Sequence, residues 1–156
     1  MNNPALSEKM SKVDIPLEEE RKENKEEWEE FPYQSVVGSL MYACTATRPD
    51  LMQSVIQLAR FMSNWGPQQV KAAKKLLQYW RNTFDEGIKF TKPTGGNGKL
   101  DIHCFSDSDW AGCPDTRRST VGFIIIICGG PISWKSRTIK KLALSSCELS
   151  RVHGTL

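Results

Sequence analysis

The chain of 156 residues lacks any long apolar run, and Val121 to Cys128 (VGFIIIIC), the longest, falls far short of the roughly 20 residues that span a bilayer. The polar start MNNPALSEKMSK has no apolar core of the signal-peptide kind, so neither a membrane span nor secretion by the usual route is expected. Histidine is scarce, and neither His103 nor His153 has cysteine partners at zinc spacing; both are expected to be structural or surface residues. The five cysteines are odd in number and form no Cys-x-x-Cys pair, which predicts reduced thiols in the cytosol or nucleus. The glycine-rich GGNGKL has Pro93 where a phosphate-binding loop needs its first glycine, and Leu100 where it needs Ser or Thr, so that reading is excluded.

What is present suits one domain or one domain with an appendage. Hydrophobic residues at 39% and charged residues at 25% exclude wholesale disorder, and a mean hydropathy of -0.44 leaves room for a polar arm. The net charge of +3 hides an asymmetry, with residues 1–30 carrying −5 and the remainder +8. An acidic arm, 1–30, therefore precedes a basic body. That is the electrostatic form of a polyanion binder, and equally of a solvated charged segment before an ordinary basic domain.

From Tyr33 onward Val36, Val37, Leu40, Met41 and Cys44 recur at one-turn spacings and predict a helix. Thr47-Arg48-Pro49-Asp50 has the form of a capping box that opens a second helix, with a stripe of Leu51, Val55, Leu58, Ala59 and Met62. Pro67 opens a third, with Val70, Ala73, Leu77 and Trp80 inward and Lys71, Lys74, Lys75 and Gln78 on another, exposed face. That basic row is either a phosphate contact or a solvated helix face; spacing does not choose between them.

After Gly87 the period changes. Ile88 to Thr91 is a strand candidate, Lys92 to Lys99 a turn-rich loop, and Leu100 to Phe105 an alternating strand that runs into Ser106-Asp107-Ser108-Asp109-Trp110. Thr120 to Cys128 has the form of a central strand buried on both faces, turned by Gly129-Gly130-Pro131 into Ile132-Ser133-Trp134. Leu142 to Leu144 is a further short strand, and Ser145-Ser146-Cys147-Glu148 resembles a capping box. Asp107 and Asp109 thus stand at a strand end and Glu148 at a helix start after two more strands, edges where converging hard oxygen donors suit Mg²⁺, although Asp and Ser also cluster in loops for turn chemistry.

The blocks YQSVVGSLMY, ATRPDL, ARFMSN, KAAKKLLQYWRNTFDEGIKF, FSDSDWAGCPDTRRSTVGFIIII, GGPISWKSR and LALSSCE, in that order, resemble the end of a copia-type retrotransposon Pol polyprotein, over Phe31 to about Glu148. The resemblance implies an α+β protein: a helical reverse transcriptase thumb and connection-like segment, 31–92, then an incomplete ribonuclease H-like antiparallel sheet, 99–156. Asp107 and Glu148 match metal-binding, catalytic carboxylates of that family, whereas Asp109 is expected to shape the turn. Two Mg²⁺ ions about 4 Å apart would activate water for cleavage of the RNA strand of an RNA-DNA hybrid. On a separate, non-catalytic reading the basic body, including Lys71, Lys74, Lys75, Arg117, Arg118, Lys135, Arg137, Lys140 and Lys141, grips nucleic acid without cutting it.

Where the family continues AEY after the glutamate, this chain reads Leu149-Ser150-Arg151 and stops at Leu156, so at least two metal-site acids of the family pattern are missing. The expectation is a Pol fragment without complete catalysis by itself and with at most weak Mg²⁺ binding. The alternative is a non-catalytic module that binds nucleic acid, another copy or the remaining Pol segments, with no membrane partner.

Overall fold

The computed structural model describes residues 10–11, 30–92, 101–109, 113, 115–116 and 118–139. They form α1 (Tyr33–Ala46), a 3₁₀ turn (Pro49–Leu51), α2 (Met52–Ala59), α3 (Pro67–Asn82), β1 (Ile102–Asp109), β2 (Thr120–Ile127) and β3 (Gly130–Thr138), an α+β content. The chain divides into two compact units, 1–86 and 87–156.

The helical unit is built around Tyr33, Val37, Leu40, Cys44, Leu51, Val55, Leu58, Phe61, Val70, Ala73 and Leu76, all buried. Burying each large apolar side chain contributes roughly 1.5–3 kcal/mol, so these small helices are held by packing rather than by propensity. The Tyr33 hydroxyl donates to the Leu58 carbonyl at 2.9 Å. Its ring stacks on Trp65 with centroids 5.4 Å apart. Burial pushes the Tyr33 hydroxyl well above the usual tyrosine range and the Cys44 thiol up to about 11.

Each helical stripe holds in part. In α1 Val36 and Met41 are half-buried, and Ala43 faces inward instead. α2 ends at Ala59, and the chain continues through bonds from Phe61 N–H to Leu58 O and from Met62 N–H to Ala59 O; that tighter turn buries Phe61 and leaves Ala59 and Met62 half-buried. In α3 the inner stripe is Gln69, Val70, Ala73 and Leu76. Leu77 and Trp80, expected inside, are half-buried, and Trp80 lines an open cleft with Ser39, Tyr42 and Ala46 of α1.

The Thr47 capping box does not form. Arg48 precedes the 3₁₀ turn without a capping bond from its side chain. Its guanidinium instead donates to both Asp50 carboxylate oxygens, at 2.9 and 2.7 Å, and to the Thr83 carbonyl and hydroxyl, at 2.8 and 2.7 Å. The Tyr79 hydroxyl donates to Asp50 Oδ2 at 3.1 Å. Arg48, at 5% exposure, thus ties the start of one helical segment to the end of α3.

In the second unit the strands run β1-β2-β3, antiparallel throughout. Cys128 and Gly129 join β2 to β3 with φ of 52° and 76°. Positive φ at both central residues makes this a type I′ hairpin turn, whose twist matches that of paired strands. β3 reaches Thr138, well past Trp134, with a bulge opposite Ile125 and Ile126. Two expectations fail. Ile88 to Thr91 is not a strand, although Thr91 N–H and Oγ1 both bond the Cys128 carbonyl, at 2.8 and 3.0 Å. β2 is central as expected but half-buried along its whole length, because the described residues of this unit form a single layer. The loop expected over Lys92 to Lys99 lies almost entirely outside the described residues, as does the strand at Leu142 to Leu144.

Candidate nucleic-acid and metal site

The segment Ser106-Asp107-Ser108-Asp109 forms the last half of β1, with Asp109 its final residue, opposite Thr120; residues 110–112, where the expected turn would follow, lie outside the described residues. Asp107 lies opposite Gly122. Side chains alternate between faces along a strand, so Asp107 and Asp109 share one face, with Cα atoms roughly 7 Å apart. Asp107 is exposed, and its Oδ1 accepts the Ser108 N–H at 2.8 Å. On the same face His103 stacks on Phe105 with centroids 6.3 Å apart, and His103 Nε2 lies 3.0 Å from Asp101 Oδ2.

These carboxylates offer hard oxygen donors of the kind Mg²⁺ prefers. Among the described residues, however, no three His, Cys, Asp or Glu side chains converge as a metal site. Asp107 and Asp109 supply two donors from one strand, and a centre for two ions takes ligands from several elements around both metals. Glu148, the second carboxylate expected in the site, lies outside the described residues, as do Arg117, Lys140 and Lys141.

The remaining cations belong to different elements of the two units. Lys71, Lys74 and Lys75 are exposed on α3 as expected, with Lys74 Nζ 5.6 Å from the centre of the Phe31 ring. Arg118 is exposed, and its carbonyl accepts the Cys113 N–H at 3.2 Å. Lys135 pairs with Phe123 and Arg137 with Val121. Paired residues share a face, and Asp107 continues through Gly122 to Ser136, so Lys135 and Arg137 lie on the face opposite Asp107 and Asp109. The structure brings the two carboxylates together and separates them from the two β3 cations. Sequence reasoning named both pairs and missed the separation, because it depends on the β1–β2 pairing and on the one-residue shift between Ile125 and Ile126 in the β2–β3 pairing, neither of which the Cys128-Gly129 turn fixes.

The chain is 42% identical over 117 residues to the Secreted RxLR effector protein 161 of Plasmopara viticola, a match that covers 75% of this chain and 80% of the effector. It is 37% identical over 94% of its length to the retrovirus-related Pol polyprotein from transposon TNT 1-94 of Nicotiana tabacum. It is 40% identical over 74% of its length to the corresponding polyprotein from transposon RE1 of Arabidopsis thaliana. The chain spans 10% and 8% of those two polyproteins. It therefore belongs to the family that joins the Plasmopara viticola protein to the retrovirus-related Pol polyproteins of transposons, and corresponds to a fragment of the latter. No family model matches the chain. No solved structure matches it.

Proposed function

We propose that the chain is a ribonuclease H-related fragment of a copia-type retrotransposon Pol polyprotein, with reverse transcriptase connection-like helices before it, that binds nucleic acid without a complete hydrolytic centre of its own. The observation that carries this reading is the pair Asp107 and Asp109 at the open end of β1, with no third acid beside them among the described residues. By resemblance Asp107 and Glu148 would hold Mg²⁺, which when bound supplies an activated water. Asp107 alone offers one carboxylate already engaged by the Ser108 N–H, so only weak cation binding is expected of it. The exposed lysines of α3 and the cations of β3 support polyanion binding independent of metal. The odd number of cysteines and the lack of a Cys-x-x-Cys pair support a cytosolic or nuclear setting.

Binding of a labelled RNA-DNA hybrid, measured with EDTA and then with Mg²⁺, tests this reading. Equal affinity in the two buffers at matched ionic strength is expected, because the chain's cations hold the phosphates. A gain of about tenfold or more with Mg²⁺, lost in Asp107→Asn, would show a metal-bridged site and overturn the incomplete-centre reading.

A second reading rests on a different observation. β1 is exposed along nearly its whole length, with Ile102 at 59% and Phe105 at 57% exposure. Such an edge suits pairing with another copy or with the remaining Pol segments.

A further inference from the structure

The pairing register sorts the charges of the sheet by face. One face carries His103, Phe105, Asp107 and Asp109 from β1, with no lysine or arginine among the strand residues that share it. The other carries Ile102, Cys104, Ser106 and Ser108 from β1, Val121, Phe123, Ile125 and Ile127 from β2, and Ser133, Lys135 and Arg137 from β3. No Asp or Glu stands among those strand residues. The same sheet is therefore acidic on one side and basic on the other, although only β2 separates the strand of the carboxylates from the strand of the cations.

We propose that the face bearing Phe123, Lys135 and Arg137 binds single-stranded nucleic acid, on the side of the sheet away from Asp107. This rests on the nucleic-acid reading above and gives it a location and a ligand class. Lys135 and Arg137, both exposed, stand two residues apart on one strand, so both charges face a backbone running along β3. Half-buried Phe123 lies directly across from Lys135, with Val121 and Ile125 on either side of it on the same face. A basic strand next to an aromatic ring on a broad, half-exposed sheet is the arrangement that tracks a phosphate backbone while unpaired bases stack or rest on apolar surface. A duplex keeps its base faces stacked inside the helix and cannot use such a flat apolar surface. A strand held here would not lie over Asp107, so binding and any carboxylate chemistry are separable.

The test is fluorescence anisotropy of a labelled oligo-dT with the whole chain in EDTA, over a range of salt. Replacing both cations (Lys135→Gln with Arg137→Gln) is expected to weaken binding about tenfold and to flatten the log-log salt slope by about 1.4, since each phosphate contact on a single strand contributes about 0.7. Phe123→Leu is expected to weaken binding several-fold with the salt slope unchanged, as loss of a stacking ring does. Asp107→Asn is expected to bind at least as well as the parent chain, and Lys135→Arg, which keeps the charge, to retain binding; far-UV circular dichroism confirms that each variant keeps its strands. Unchanged binding in the double variant, with loss on changing Lys71, Lys74 and Lys75 to Gln, would overturn the sheet-face site and leave nucleic-acid binding on α3. Failure of the parent chain to bind the oligonucleotide, a duplex and a hybrid alike would overturn both.

Discussion

Asp107 and Arg137 occupy opposite faces of one three-stranded sheet, because Asp107 pairs through Gly122 to Ser136 while Arg137 pairs with Val121. A slip of one residue would reverse this, so the separation depends on the β1–β2 register and on the bulge at Ile125 and Ile126 that shifts the β2–β3 register by one. Gly122 is the hinge of that arrangement. A Cβ added there would meet only the Lys135 carbonyl, at 3.7 Å, an ordinary contact. Gly122→Ala is therefore expected to stabilise the sheet by about 0.4–1 kcal/mol through a less free unfolded chain, read from urea unfolding. A loss of stability would contradict the register.

The turn that joins β2 to β3 carries a non-glycine residue at φ 52°, Cys128, followed by Gly129 at φ 76°. Asn adopts positive φ more readily than Cys and favours this turn type. Cys128→Asn keeps the backbone carbonyl that Thr91 bonds, and is expected to raise stability by about 0.5 kcal/mol. Gly129→Ala should cost about 1–2 kcal/mol, because alanine is strained at that φ and its Cβ would come within 3.0 Å of Thr91 Oγ1. Thermal unfolding of the two variants should therefore shift in opposite directions.

Arg48 is almost wholly buried and depends on Asp50 for its charge balance. Burial pushes the Asp50 carboxyl upward, but its bonds to Arg48 and Tyr79 outweigh this and hold it below the ordinary carboxylate range. A depressed pKa contributes stability that is present above the unfolded value, about 3.9, and is lost as pH falls through the folded value. Asp50→Asn should thus cost about 1–3 kcal/mol at pH 7, and the gap between parent and variant should close on acidification. A gap that stays constant from pH 7 into the acid range would show that the carboxylate charge is not what anchors Arg48.

The exposed apolar residues of the sheet make a further expectation. Phe105, Ile102 and Ile132 are each close to half exposed or more, and β2 is half-buried along its length. The chain is expected to bind the dye ANS and to show a mass that rises with concentration in sedimentation. A sharply cooperative monomeric melt without dye binding would show that this apolar surface is covered in solution.

The helices and the central hairpin were legible because each rests on a local pattern: Val37, Leu40 and Cys44 repeat at the helical period, and Val121 to Ile127 runs into the Gly129-Gly130 turn. Arg48 was not legible as a buried anchor, since Thr47-Arg48-Pro49-Asp50 fits a capping box and only tertiary packing brings Thr83 and Tyr79 to it. Leu76 was displaced by Leu77 in the expected stripe because adjacent leucines satisfy the period almost equally well. Asp107 was found as a strand-end carboxylate, but which residues share its face depends on the pairing of β1 with β2 and on the bulge between β2 and β3, which no local pattern announces.

The most direct measurement is hydrolysis of a labelled RNA-DNA hybrid in Mg²⁺ by this chain beside Asp107→Asn, purified identically. The proposed incomplete centre predicts no cleavage above background, or the same trace in both. Cleavage by the parent chain that disappears in the variant would contradict it, and would place Asp107 in a working metal centre completed by residues outside those described or by a second copy.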